Sequence, residues 1–260
     1  MSGKTIYLEN VEHFFSSHRL GEPPTKVLCQ TSVTMPKQQF VSLVGPSGCG
    51  KTTVLNMAAG LVRPTRGNIT LDGRIPKVGD PDVGYLLARD ALLPWRTALA
   101  NVSLPLELRG VGRNERENLA RKILEEVGLG KFADAFPSQL SHGMRQRVAV
   151  ARTLVAEPNT LLMDEPFSAL DAQTRLSVQQ LFLRLWERVQ STVLFVTHDL
   201  TEAILMSDRV LVFSARPGEI IAEFEVDFER PRSLRELQSS EKFHDLFRRV
   251  WDVFRQEVEV

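Results

Sequence analysis

The sequence of 260 residues has two cysteines, no net charge and no long apolar run, and each shortage removes a class of function. Cys29 and Cys49 lie far apart without metal-ligand spacing, which suits free thiols in a reducing compartment rather than a disulfide framework or a zinc site. The 32 basic and 32 acidic residues cancel, so the chain as a whole exerts no pull on nucleic acid or anionic lipid. Any membrane role then has to run through a protein partner. No segment approaches the ~18 uninterrupted apolar residues of a membrane span. The opening "MSGKTIYLENVEHFF" lacks the apolar core and small-residue cleavage site of a secretion signal. The expectation is therefore a cytoplasmic chain. Repeats, heptads and low-complexity tracts are absent as well. What remains is 43% hydrophobic and 25% charged, ordinary for a globular protein long enough to bury one sizeable core, with or without a subdomain.

Along the chain, strand-like runs at Ile6 to Leu8 and Val27 to Val33 flank the loop "SSHRLGEPPT" and predict a small antiparallel sheet. "QFVSLVG", Gln39 to Gly45, is continuously apolar and too short for a helix, as expected of a strand buried on both faces. A helical run, "KTTVLNMAAGLV", follows. From about Leu92 to Glu157 the pattern is helical; "NERENLARKILEEVGL" puts Leu119, Ile123 and Val127 on an expected apolar stripe, stopped by Gly128 and Gly130. Strands return at Leu161 to Met163 and Val193 to Val196, and a weaker one follows "SARPGEI". Strands alternating with helices predict an α/β fold with a mainly parallel sheet and an inserted helical subdomain at about 90–158. The domain reading is one nucleotide-binding unit over 1–230 and an amphipathic helical extension over 231–260, with Phe243, Phe247, Val250 and Phe254 on one side. That face either packs on the sheet or binds a regulator.

"GPSGCGKTT" (Gly45, Pro46, Ser47, Gly48, Cys49, Gly50, Lys51, Thr52 and Thr53) carries the G-x-x-x-x-G-K-[ST] pattern between a predicted strand and helix. Its glycines let backbone N–H groups turn inward around a phosphate. Lys51 is placed to reach the β- and γ-phosphates and Thr52 to ligate Mg²⁺, with the positive end of the helix aimed at the same anion. "TLLMDEP" is an apolar strand ending in two carboxylates. Asp164 is positioned for the hydrated Mg²⁺, and Glu165 to orient or deprotonate an attacking water. "LFVTHD" ends another strand at His198, either a structural strand-end histidine or a donor to the γ-phosphate. "LSHGMRQR" is a glycine turn opening a helix whose Val148, Ala151 and Val155 share a face, so Ser141 and Gly143 sit at a helix start. An ordinary capping serine gives the same pattern.

The order of these stretches, phosphate loop, "LSHGM", "LLMDEP", "SALD" and "VTHD", resembles the ATP-binding cassette (ABC) family over roughly Ile6 to Ile221. The resemblance implies a P-loop ATPase core with ATP and Mg²⁺ as cofactors. It also implies two cassettes packed head to tail, with a homodimer expected. On that pattern Ser141 and Gly143 contact the γ-phosphate held by the second subunit, Asp171 of "SALD" follows the dimer seam, and His198 is the switch histidine. Phe15 is the best match for the aromatic that stacks on adenine, with Phe14 close behind, and either could instead be core. "RDALLPWRTALANV", "MDEPFSALDAQTR" and "DRVLVFSARPGEI" resemble ATPase subunits of importers for nitrate, sulfonates and taurine. That implies membrane-spanning permease subunits, a separate solute-binding protein and a peripheral place on the cytoplasmic side of the membrane, with no nucleic-acid partner.

Three positions depart from the family pattern. The loop after the Tyr85 strand usually carries a glutamine that ligates Mg²⁺, and this chain has Leu87-Ala88. The signature turn has His142 where a second glycine is usual, which raises the expectation of a histidine forced toward positive φ. Gln38-Gln39 replaces a common Gly-Glu turn. Leu92, Leu93, Pro94 and Trp95 either offer an apolar anchor to the permease or fill the subdomain's own core. The expected activity is ATP hydrolysis driving uptake of a small anion; the alternative is a non-hydrolytic or weakly coupled regulatory cassette paired with an active relative.

Overall fold

The structure is a computed structural model and describes residues 3–16 and 23–258. Most of the loop at Ser16 to Thr25, residues 17–22, lies outside the described residues, as do 259–260. β1 (Ile6–Phe15) pairs antiparallel with both β2 (Thr25–Met35) and β4 (Arg66–Leu71), giving the order β2-β1-β4. Sequence reading supplied only the first two of these strands.

The central sheet has the order β5-β6-β7-β3-β8-β9, built from β3 (Phe40–Val44), β5 (Val83–Leu86), β6 (Thr160–Asp164), β7 (Thr192–Val196), β8 (Arg209–Phe213) and β9 (Ile220–Glu225). All of its pairings are parallel except β8 with β9. The unbroken apolar runs follow from cover on both faces. Phe40 and Val44 of β3, Leu161 and Met163 of β6, and Val193 and Phe195 of β7 point into the core beneath the helices. The intervening Val41, Leu43, Leu162 and Leu194 point into a second core beneath the antiparallel sheet. Phe40 meets Phe182, Trp186 and Phe195 edge-on, with centroids 6.3, 5.3 and 5.8 Å away. Truncating such a buried ring costs about 3–5 kcal/mol.

Three helices, α2 (Ala98–Leu108), α3 (Arg113–Glu126) and α4 (His142–Leu154), fall between β5 and β6. Ala120, Leu124 and Val127 form the buried side of α3, whereas Leu119 is 41% exposed. Of the predicted stripe, Val127 is core and Ile123 packs against it, and only Leu119 fails: the spacing also admits Ala120 and Leu124, and a small alanine gives no apolar signal by which to choose. α5 (Ala172–Val189) and α6 (Leu200–Met206) cover the helical face of the sheet. The tail is two helices, α7 (Leu234–Gln238) and α8 (Glu241–Val258), separated at Ser239 and Ser240. Phe243, Leu246, Val250 and Phe254 of α8 are buried in the helical core.

Candidate functional site

β6, β7 and β3 are neighbours in the sheet, so the turns at their C-terminal ends converge. From β3 the chain enters the phosphate loop, where Gly50 caps α1 (Lys51–Ala58) at φ 104°, a backbone state that side chains rarely adopt. Lys51 is buried and its Nζ donates to the carbonyls of Gly45 at 2.7 Å and Pro46 at 2.8 Å, so the ammonium crosses the mouth of its own loop. Ser47, Gly48 and Thr52 are exposed, while Cys49 and Thr53 are buried and help to hold the loop's shape.

From β6, Asp164 reaches across to Thr52, whose Oγ1 donates to Asp164 Oδ1 at 3.1 Å. Burial pushes the Asp164 carboxyl up, a shift opposed by the Thr52 bond and reinforced by the charge of Glu165. Glu165 takes a left-handed backbone at φ 47° and faces His198 from β7, with Glu165 Oε2 3.0 Å from His198 Nδ1. His198 is exposed, whereas Thr197 before it is buried and donates to Glu202 Oε2 at 2.7 Å. Arg175 joins this corner to the "SALD" turn, donating to Leu170 O at 2.8 Å and lying 3.5 Å from Asp199.

Phe15, 45% exposed at the end of β1, lines a cleft of about 320 Å³ together with Ser47, Gly48, Lys51, Thr52 and Glu165. Phe14 is half-buried under the Lys26 ammonium, 5.5 Å from its ring, and does not line this cleft. The donor set suits a magnesium nucleotide: a hydroxyl and a carboxylate at Thr52 and Asp164 are hard oxygen ligands, and backbone amides with a lysine frame the phosphate loop. Among the described residues there is no group of three or more His, Cys, Asp or Glu placed to hold a metal. A cation here would rely on phosphate oxygens and water for its remaining ligands, as Mg²⁺ commonly does.

Ser141 and Gly143 open α4 and do not line this cleft. Ser141 caps the helix, accepting from Met144 N at 3.3 Å, so the ordinary capping role is present. A Cβ on Gly143 would come within 2.7 Å of Thr174 Cγ2 in the first turn of α5. Asp171 caps α5, and the Thr174 N–H it accepts at 3.0 Å holds its carboxyl below the usual range. His142 is the first helical residue of α4 and has no positive φ, so the strain expected there is absent. Of the three departures from the family pattern, it is Gln38, in the turn before β3, that takes a positive φ, at 61°.

The segment after β5 is held by residues whose role was not legible in the motifs. Arg145 and Arg152 of α4 donate to the Asp90 carboxylate and the Asp90 carbonyl, each at 2.8 Å. Buried Asn101 accepts from Leu93 N at 2.8 Å and donates to the carbonyls of Leu93, Arg96 and Thr97. Leu92 is consequently core while Trp95 is 71% exposed, so the run does not as a whole fill the subdomain's own core. Ala88 is half-buried just beyond β5, whose last residue Leu86 pairs with Met163 beside Asp164. Buried Gln146 of α4 donates to Pro166 O, tying the helix of the "LSHGM" turn to the turn after Glu165. A polar residue on the apolar side of a helix was the signal for Gln146; Arg145 and Arg152 gave none.

A parallel sheet with a glycine loop between strand and helix, a lysine in the loop mouth and an acidic strand end beside it defines a P-loop nucleoside triphosphatase. The family model described as "ABC transporter" matches residues 28–168. An uncharacterized ABC transporter ATP-binding protein of Methanocaldococcus jannaschii is 46% identical over 90% of this chain and 86% of its own length. The taurine import ATP-binding protein TauB of Rhizobium johnstonii is 44% identical over 84% of this chain and 85% of its own. Among solved structures, a dimeric ATP-binding cassette in a post-hydrolysis state bound to ADP and Pi superposes with TM-score 0.73. It is 32% identical, covering 86% of this chain and all of that one. The chain belongs to the ABC transporter family and is an ATPase of the cassette class.

Proposed function

We propose that this chain is the ATP-hydrolysing subunit of an importer, working as a head-to-tail pair beneath two permease subunits and supplied by a separate solute-binding protein. The observation that carries it is the meeting of Glu165, His198, Asp164 and Thr52 at one end of a cleft floored by the Lys51 loop. In this reading Phe15 takes the base, and the loop amides from Gly45 to Thr53 with Lys51 take the phosphates. Thr52 and Asp164 hold Mg²⁺, which when bound neutralises charge on the phosphate oxygens. Glu165 accepts a proton from water, and His198, oriented by its contact with Glu165, donates toward the γ-phosphate. Ser141, Gly143 and Asp171 are exposed or half-buried on one chain and complete the site of the other. Pairing therefore makes hydrolysis depend on both copies.

The membrane-side contact centres on Trp95, held out by the Asn101 and Asp90 networks, with Pro94 and Leu93 beside it and Leu92 as its root in the core. Among the described residues no helix is long and apolar enough to cross a membrane. In this reading the chain attaches at the cytoplasmic face through the permease. Import of taurine or a related small anion is supported by the taurine-import name of the Rhizobium relative. A second reading, a weakly coupled or regulatory cassette, is favoured by one observation: Ala88 offers no side-chain oxygen where a metal-ligating glutamine is usual.

Steady-state hydrolysis by the purified chain beside its Glu165→Gln variant, over protein concentrations that span pairing, tests the proposal. Turnover that rises more than linearly with protein and falls about 10²- to 10⁴-fold in the variant is expected. Equal turnover in both, with ATP still bound, would leave the regulatory reading standing.

A further inference from the structure

The cleft has a second cation on its rim, at Arg216, which lines it together with Phe15, Val27 and Gly48. Its Nε donates to Lys26 O at 3.4 Å, and its terminal nitrogens have no protein partner among the described residues. Lys26 follows Thr25, the cross-strand partner of Phe15, so the guanidinium is anchored at the Phe15 end of the cleft. The triphosphate end is already served by Lys51 and the start of α1.

The turn that carries Arg216 is braced on several sides. Ser214 N donates to Glu219 O at 2.9 Å and Glu219 N donates back to Ser214 Oγ at 3.0 Å. Gly218 exchanges bonds with β2, donating to Val27 O at 2.8 Å and accepting from Cys29 N at 2.9 Å. A Cβ on Gly218 would lie 1.9 Å from Cys49 O, so the turn rests on the phosphate-loop backbone and only glycine fits. Ala215 N donates to Glu257 Oε2 at 2.9 Å, near the end of α8. The C-terminal helix thus helps to place a side chain at the nucleotide cleft.

We propose that Arg216 contacts the bound nucleotide, its guanidinium stacking on the purine to form a two-part base clamp with Phe15, and that α8 sets this clamp through Glu257. The inference rests on reading the cleft as the ATP site. A planar guanidinium with free terminal nitrogens is suited to an aromatic face, and at the Phe15 end that face is the base. ATP and ADP share this half of the molecule, so both depend on Arg216 equally.

Calorimetric titration of ATP, ADP and inorganic tripolyphosphate into the full chain, on a Glu165→Gln background to prevent turnover, tests it. Arg216→Ala is expected to weaken ATP and ADP by the same factor, about 3- to 10-fold, and to leave tripolyphosphate unchanged. Arg216→Lys restores little, because an ammonium does not stack flat. Glu257→Ala shifts ATP and ADP in the same direction by a smaller factor. Unchanged affinities in Arg216→Ala overturn the proposal, and so does a loss confined to ATP or shared by tripolyphosphate. A parent chain that binds neither nucleotide overturns the ATP-site reading itself, a result distinct from binding that ignores Arg216.

Discussion

Glu165 combines a proposed catalytic carboxylate with a backbone that side chains resist, and the two properties can be separated by mutation. Its φ of 47° is held by Glu165 N donating to Val196 O at 2.9 Å and by Ser168 N donating back to Glu165 O at 3.1 Å. The Ser168 hydroxyl adds a third bond to Glu165 O at 2.9 Å. A left-handed backbone costs a residue with a Cβ about 1–2 kcal/mol. Glycine escapes that cost but loses about 0.5–1 kcal/mol more chain entropy on folding. Glu165→Ala and Glu165→Gly both remove the carboxylate and the His198 contact, so those terms cancel between them. The difference leaves Glu165→Gly more stable than Glu165→Ala by about 0.5–1 kcal/mol, the reverse of the order at an ordinary site. For a chain of this size that is roughly 1–3 °C in Tm. Thermal melting of the two nucleotide-free variants reads this directly, while ATPase assays are expected to show both equally inactive. Alanine equal to or more stable than glycine would refute the strain argument. Retained hydrolysis in either would refute the catalytic role.

Burial raises the Asp164 carboxyl above its ordinary value of 3.8, so the folded chain holds this proton more tightly than the unfolded one. The stabilising effect is full below the ordinary value and is lost as pH rises through the folded one. Asp164→Asn should therefore leave Tm unchanged at pH below the ordinary value and raise it at neutral pH, so that Tm climbs more steeply with pH than in the wild type, and should abolish Mg²⁺-dependent hydrolysis. Ala88→Gln should tighten Mg²⁺ dependence or raise turnover by about fivefold, the worth of one added ligand contact of about 1 kcal/mol; identical Mg²⁺ titrations and turnover would count against it. Trp95→Ala should leave Tm and basal ATPase within about 0.5 kcal/mol of wild type. The same change should weaken binding to the permease by about 30-fold, read by co-purification or interferometry.

The chemistry-bearing turns were legible because each combines a local pattern with a strand end. Gly50, Lys51 and Thr52 follow an apolar run, as do Asp164 with Glu165 and His198, and the parallel sheet then brings the three turns together. Leu119 misled because a 3.6-residue period does not distinguish neighbouring stripes when one contains a small alanine. His142 misled because the turn was read as needing a second flexible residue, whereas Ser141 supplies an extended cap and the helix begins at once. Arg145, Arg152 and Asn101 act through contacts that are distant in sequence or that bind backbone carbonyls, and a motif carries no trace of such partners; Gln146 alone shows itself, as a polar residue on the apolar side of a helix. Arg216 lay inside a quoted stretch, "SARPGEI", but nothing local shows that its turn folds back onto Cys49 and β2.

The central claim, that each ATP site is built from two copies, is tested most directly by mixing two inactive chains. Lys51→Ala disables the phosphate loop, and Ser141→Arg disables the turn offered to the partner. In a mixed head-to-tail pair one site receives both defects and the other neither. Each variant alone is expected to be inactive, and an equal mixture should recover about a quarter of wild-type turnover, from one intact site in half of the pairs. A mixture as inactive as its components, at concentrations where the wild type hydrolyses ATP, would contradict the paired site.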